Sequence, residues 1–471
     1  MPDQIALIRA AINRASKRSL HQQLYERIRG SILVGRLPAG ARLPSTRNLA
    51  AELGVARGTV DNVYARLIAE GYLTTHRQRG TIVRVGLRTQ PVGRLSRTGG
   101  GRPGDELAPS WLPLQLGLPA MDLFPQAMWT RIARKQIRQM SPAAMAYPNS
   151  FGLPALRVAI ASYLAVSRGI VCSDEQIVIT NGYQDALNLT MDLVLAAGDR
   201  VWLEDPGYGF AQRALLARGM SLTPIPVDAE GVRVDWARRR APKARLAVVT
   251  PAHQFPTGTT LSPSRRWELL NWASQARSWV LEDDYDCEFH YVGHKPAALK
   301  SLDLDSRVFY VGSFSKSLFP ALRLGYLVLP EKLVESARRL QPLRHRGAAT
   351  LSQLVVTEFM TQGYFARHLS RMRSQYKSRR DALGAALVRC FGNGINIVPT
   401  GGGLHILARF RRQVDDVGIA ARALDVGLKP SPLSRQFLKD GADRGLLLSF
   451  TNVPEEKADG VASTLLRTAR N

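Results

Sequence analysis

The chain has 471 residues and a formal net charge of +26, with 45% apolar and 22% charged residues. That length exceeds one ordinary core and predicts two or three domains of globular composition. No apolar run approaches the roughly eighteen residues of a membrane span, Asp3 ahead of the first basic residues reverses a secretory signal, and Cys172, Cys287 and Cys390 stand too far apart for a disulfide framework or a zinc site. A cytoplasmic protein with no membrane partner, no metal and three ordinary thiols is expected.

Residues 1–85 carry 14 Lys or Arg against 5 Asp or Glu, an excess that favours a polyanionic partner. Leu20, Leu24, Ile28 and Ile32 recur at helical spacing until Gly35 and Pro38 stop them. Leu43–Gly54 reads as a helix capped by Ser45 or Thr46 and closed by Gly54, and Val55–Glu70 as a second. Two helices around one glycine predict a helix-turn-helix. The second helix places Arg57, Thr59 and Asn62 where a recognition helix meets base edges and phosphates of double-stranded DNA, and Arg47 on the first suits a phosphate or a base. Tyr72–Thr75 and Thr81–Val85 are short strand candidates around a basic tip, whose Arg77, Arg79 and Gly80 suit an approach to the minor groove. The segment 1–85 is thus predicted to be a winged helix-turn-helix.

Residues 86–113 read as a flexible linker, because Arg94–Asp105 has almost nothing to bury against its ordering entropy. From residue 114 to 471 short apolar runs (Gln176–Thr180, Arg200–Leu203, Leu246–Thr250, Trp279–Leu281, Val308–Gly312, Leu324–Leu329) alternate with helical patterns such as Gln184–Leu195 and Arg265–Gln275. This alternation predicts an α/β body with a mostly parallel sheet, whose chemistry lies just past the strand ends.

Three such ends carry it. After Val308–Gly312 come Ser313, Ser315, Lys316 and Arg323, which offer an amine, hydroxyls and a guanidinium to a phosphate-bearing aldehyde. After Trp279–Leu281 come Asp283 and Tyr285, a carboxylate for a protonated ring nitrogen and a phenol for a ring oxygen. After Ile177–Thr180 come Gly182, Tyr183 and Gln184 at a helix start, where free amides form an anion site.

The N-terminal runs Leu43–Ala50, Val55–Val60, Glu70–Leu73 and Gly80-Thr81 resemble the GntR family of bacterial regulators, with Ala56 where that family usually has serine. The later runs, Ala146–Arg157, Ile177–Leu187, Val201–Gly209, Val249–Gly258, Leu281–Tyr291 and Phe309–Leu329, resemble fold-type I aminotransferases. The combination resembles the MocR subgroup. It implies pyridoxal 5'-phosphate (PLP) on Lys316 as the Schiff-base lysine, Asp283 as the pyridine partner and Tyr285 as donor to the ring hydroxyl. Ser313, Ser315, Arg323 and the amides of 182–184 would hold the phosphate, with Tyr208 against the ring. Tyr147 matches a residue contributed across a homodimer, and a smaller C-terminal α+β subdomain is implied.

Two departures stand out. Phe255 occupies the place of the usual ring-facing asparagine, and Leu447, two residues before Ser449-Phe450, replaces the arginine that clamps a substrate carboxylate, with Arg444 the nearest substitute. Phe210 is apolar where some relatives are basic. The expected function is a PLP-dependent transcriptional regulator that senses PLP or an amino compound, with weak or absent transamination. The alternative is an active aminotransferase carrying a DNA-binding module.

Overall fold

The structure is a computed structural model of the chain and describes residues 18–76, 78–85, 111–293, 295–398, 400–438 and 443–470. Its contacts separate two units, Met1–Pro109 and Ser110–Asn471.

In the first unit, Ser19 Oγ accepts from Gln22 N and starts helix α1 (Leu20–Leu33). Ser45 Oγ accepts from Asn48 N and starts α2 (Thr46–Leu53), which ends on Gly54 in the left-handed region at φ 61. Helix α3 (Arg57–Ala69) begins two residues later than its pattern suggests, and Ala56 gives it no side-chain cap. Strands β1 (Leu73–His76) and β2 (Gly80–Val83) pair as a hairpin, with His76 opposite Gly80. Leu24, Ile28, Ile32, Leu49, Val60, Val63, Leu67 and Val83 form one buried cluster, so each element buries the face its spacing predicts.

Arg77 and residues 86–110, most of the expected linker, lie outside the described residues. Residues 111–113, read as its end, belong to the large unit: Asn452 Nδ2 donates to Leu112 O at 2.8 Å and Lys429 N to Pro113 O at 2.9 Å.

The large unit holds strands β3 (Ile177–Thr180), β4 (Arg200–Asp205), β5 (Ser221–Asp228), β6 (Gly231–Val232), β7 (Leu246–Val249), β8 (Trp279–Asp283), β9 (Val308–Ser313) and β10 (Gly325–Val328). They form one sheet in the order β3-β10-β9-β8-β7-β4-β5-β6. Strands β9, β8, β7, β4 and β5 are parallel, whereas β10 runs against both β3 and β9, and β6 against β5. Both faces are covered: Ile177 and Ile179 pack in one core cluster and Val178 in another, which is why these strands read as continuous apolar runs.

A second, antiparallel sheet joins β11 (Ile395–Val398), β12 (His405–Phe410), β13 (Ser431–Pro432) and β14 (Gly445–Ser449) in the order β11-β12-β14-β13. With the long helix Tyr364–Phe391 and the helix Ala458–Arg470 it makes the smaller α+β subdomain. Among the described residues no helix is long and apolar enough to cross a membrane. Cys287 is buried, Cys172 and Cys390 are half-buried, and all three are free thiols.

Candidate functional site

Sheet pairing sets three chain segments level at one edge. Gly325, first residue of β10, faces Thr180 at the end of β3 on one side and Ser313 at the end of β9 on the other. A Cβ at Gly325 would lie 3.0 Å from Gly312 O and 3.1 Å from Gly182 Cα. Only glycine therefore lets the turn after β3 approach the start of β10.

Asp283 ends β8 and is 9% exposed, yet among the described residues its carboxylate makes no hydrogen bond or ion pair. Burial pushes its pKa well above the ordinary carboxyl value; neighbouring Asp284 and Asp286 add to the rise and Lys316 opposes it. A buried carboxyl left without a partner is costly. It suits a ligand that brings a protonated ring nitrogen.

Lys316 lies on the one-turn helix Phe314–Ser317 directly after β9, capped by Ser313 Oγ, which accepts from Ser315 N at 3.1 Å. Its Nζ donates to Gly117 O at 2.8 Å, its sole hydrogen bond among the described residues. Burial lowers the pKa of this amine, against the pull of Asp283 and Asp286. A lysine that sheds its proton more readily is a better nucleophile towards an aldehyde.

Arg323 stands in the left-handed region at φ 49, exposed and, among the described residues, without a hydrogen bond or ion pair. Its Nη1 lies 3.9 Å from where a Cβ on Gly182 would sit. Gly182 itself, at φ 90, opens the helix Tyr183–Val194, so the amides of Tyr183 and Gln184 have no carbonyl to reach within the helix. A free guanidinium beside a helix N-terminus, with the hydroxyls of Ser313 and Ser315 nearby in the chain, is a built environment for a phosphate.

Aromatic rings border the remainder. The Tyr208 ring, partly exposed, meets Tyr183 at 5.7 Å and Phe255 at 5.8 Å, both edge-on, with Phe210 at 6.0 Å. Tyr285 Oη lies 3.0 Å from His253 Nδ1. Tyr147 is 79% exposed with Arg346 over its ring at 4.5 Å, and no hydrogen bond or ring contact joins it to the other candidate residues within the chain. The structure thus brings the strand-end residues together and leaves Tyr147 apart.

The place read as a lost carboxylate clamp is apolar. Leu447 is fully buried with Leu407 and Leu433, and Leu116, Phe255, Val398 and Phe437 pack against them. Arg444 lies just before β14, outside the strand that carries Leu447.

Five further residues escaped the sequence reading. Gly117 holds the lysine from 199 positions away. Buried Glu204, pushed up to about 7 by burial, accepts from Thr250 Oγ1 at 2.6 Å and Gln254 Nε2 at 3.2 Å, and so anchors the loop that bears Phe255. His405 is fully buried, which lowers its pKa to about 4, and it bonds Pro256 O at 3.1 Å. Arg213, exposed, places positive charge near Tyr208. His253 is the fifth. Glu204 and His253 lie inside runs already singled out, and their polar character in otherwise apolar strand ends was the available signal.

In the first unit Arg47, Arg57, Asn62 and Arg79 are exposed and Thr59 is half-buried. Arg57 Nε sits 3.5 Å from Asp61 Oδ2, and Gly80, at φ 71, turns the hairpin beside the Arg42 guanidinium.

Comparison with known proteins extends this picture. The gntR family of bacterial regulatory proteins matches residues 20–83, and the class I and II aminotransferase family matches residues 115–426. The chain is 36% identical to the probable rhizopine catabolism regulatory protein MocR of Rhizobium meliloti, over 96% of this chain and 93% of that one. It is 30% identical to the HTH-type pyridoxine biosynthesis transcriptional regulator PdxR of Corynebacterium glutamicum, over 95% of each. The kynurenine aminotransferase of Pyrococcus horikoshii, solved in complex with PMP, shares the fold with a TM-score of 0.70 at 28% identity, over 78% of this chain and 92% of that one. The chain therefore belongs to the GntR family of DNA-binding transcriptional regulators, in the group that joins a helix-turn-helix to a class I and II aminotransferase domain with pyridoxal phosphate as its cofactor.

Proposed function

We propose that this regulator senses PLP, or an amino compound that reacts with it, at Lys316, and that occupancy of the site changes its affinity for an operator. The observation that carries the reading is the set of groups gathered at one sheet edge: a buried amine whose one hydrogen bond goes to Gly117 O and, among the described residues, a buried carboxyl without a partner and a free guanidinium beside a helix start. Bound PLP supplies an aldehyde that captures amines and a ring that withdraws electrons. Lys316 provides the amine, Asp283 holds a proton at the ring nitrogen, and Tyr285 donates to the ring oxygen. Arg323, Ser313, Ser315 and the 182–184 amides bind the phosphate, while Tyr208 covers the ring.

The apolar cluster around Leu447 supports sensing over turnover. A guanidinium at that position would anchor the carboxylate of an amino acid, and transamination depends on that orientation. The name of the Corynebacterium relative points to vitamin B6 synthesis, which supports PLP itself as the effector. On the DNA side, Arg57, Thr59 and Asn62 are assigned to the major groove, Arg47 to a phosphate or base, and Arg77, Arg79 and Gly80 to the wing. We further assign Tyr147 to the partner's phosphate in a cytoplasmic homodimer.

An effector acts only through differential affinity for two states. Operator binding is therefore compared at one salt concentration for the PLP-loaded chain, the PLP-free chain and Lys316→Ala. A difference between loaded and free protein that Lys316→Ala abolishes is expected; identical binding in all three contradicts the sensing role.

A further inference from the structure

We propose that His253 is a positioning residue for the cofactor's ring oxygen: its Nδ1–H donates to the Tyr285 hydroxyl and so fixes where the phenol stands relative to the ring. This rests on the PLP reading of the site and adds a residue that the family resemblance does not supply.

The imidazole sits in a fork. Nδ1 lies 3.0 Å from Tyr285 Oη, aligned as a hydrogen bond, and 3.0 Å from Asp286 Oδ2. His253 and Asp286 are 7% and 2% exposed. Asp286 Oδ2 is buried and has no hydrogen-bond partner among the described residues, and an Nδ1–H beside it supplies the donor that a bare Nδ1 lone pair cannot. The proton therefore belongs on Nδ1, and Nε2 is the acceptor.

The other face of the ring agrees. Among the described residues His253 Nε2 has no partner, and His253 lines a small cavity of about 20 Å³ shared with Arg168, Cys287, Gly401 and Gly402. That is room for one water molecule. Arg168 Nη2 also lacks a partner, and a guanidinium only donates. A donor on one side of that cavity calls for an acceptor on the other, which Nε2 provides when the proton sits on Nδ1.

The ring is also clamped. A Cβ on Gly403 would lie 2.2 Å from His253 Cε1, and one on Gly258 3.1 Å from Nε2, with both glycines at positive φ. The imidazole fills the space these glycines leave and cannot swing away. The need for it follows from Phe255, which offers no donor where aminotransferases place asparagine, so the ring oxygen depends on Tyr285 and Tyr285 on His253.

The geometry separates three substitutions in the full-length chain. His253→Asn returns an amide nitrogen near the Nδ1 position, His253→Gln reaches only the Nε2 position, and His253→Phe keeps the shape alone. Thermal melts of the PLP-free proteins check folding. We expect Gln and Phe to weaken PLP binding about tenfold, the loss of one good hydrogen bond, and to shift the absorbance maximum of the loaded protein, while Asn stays within about twofold of wild type. Wild-type behaviour of Gln and Phe, or Asn as poor as Phe, overturns the proposal. Nitrogen chemical shifts of His253 in the PLP-free chain provide a second arm: a proton on Nδ1 is expected, and a proton on Nε2 overturns the proposal. Failure of the wild type to take up PLP would instead remove the cofactor reading, with the nitrogen shifts still deciding the tautomer.

Discussion

Along the ends of β8 and β9 the site presents Asp283, Lys316, Ser313 and, after the next turn, Arg323, polar groups with few partners among the described residues. Along β12 and β14 it presents Leu407 and Leu447, sealed by Leu433 with Phe255 against them. A transaminase needs both regions polar, the first to hold the cofactor and the second to hold the substrate carboxylate. Here the first is polar and the second is apolar. The difference teaches that strand ends of one site can differ in task, one presenting polar groups and the other serving packing.

Four experiments test that division. The largest effect is expected from Lys316→Ala, which removes the visible absorbance of the PLP-loaded protein altogether, because no other described group offers a buried amine at that edge. Leu447→Ala comes next: it empties a fully buried position and is expected to cost about 2–5 kcal/mol in a urea melt. Its counterpart Arg323→Ala alters an exposed, unbonded residue and leaves stability within about 0.5 kcal/mol, but weakens PLP binding roughly tenfold to a hundredfold, as the loss of a charged hydrogen bond does. Reversal of these two responses would break the comparison.

His405 sharpens it through pH. Its pKa falls from 6.5 to about 4 on burial, so below pH 6.5 the unfolded chain takes up a proton that the folded chain refuses. Stability therefore drops as pH falls from 6.5 to 4, by roughly 3 kcal/mol at 1.36 kcal/mol per unit. The melt difference between wild type and His405→Gln should show this slope. The smallest effect lies outside both regions: Ala56→Ser restores a cap to α3 and is expected to stabilise the first unit by about 0.5–1 kcal/mol.

Much of the cofactor region was legible because chemistry at a strand end is local. Lys316 follows an apolar run within a few residues, and Asp283 follows another, although β8 runs through Asp283 itself, two residues past its apolar stretch. The other region was not legible for the opposite reason. Leu447 gains its meaning from Leu407, Leu433 and Phe255, which are remote in sequence. Gly117 carries no signal of its own, since its backbone carbonyl, not its side chain, holds Lys316. The helix-turn-helix was read most closely, with α1 matching its predicted span, because its 3.6-residue pattern and its cap residues stand side by side in the chain.

The most direct measurement is borohydride reduction of the PLP-loaded wild-type chain followed by peptide mass mapping. The account predicts a pyridoxyl group on the peptide that contains Lys316 and on no other; an unlabelled Lys316 peptide, or label spread over surface lysines, would contradict it.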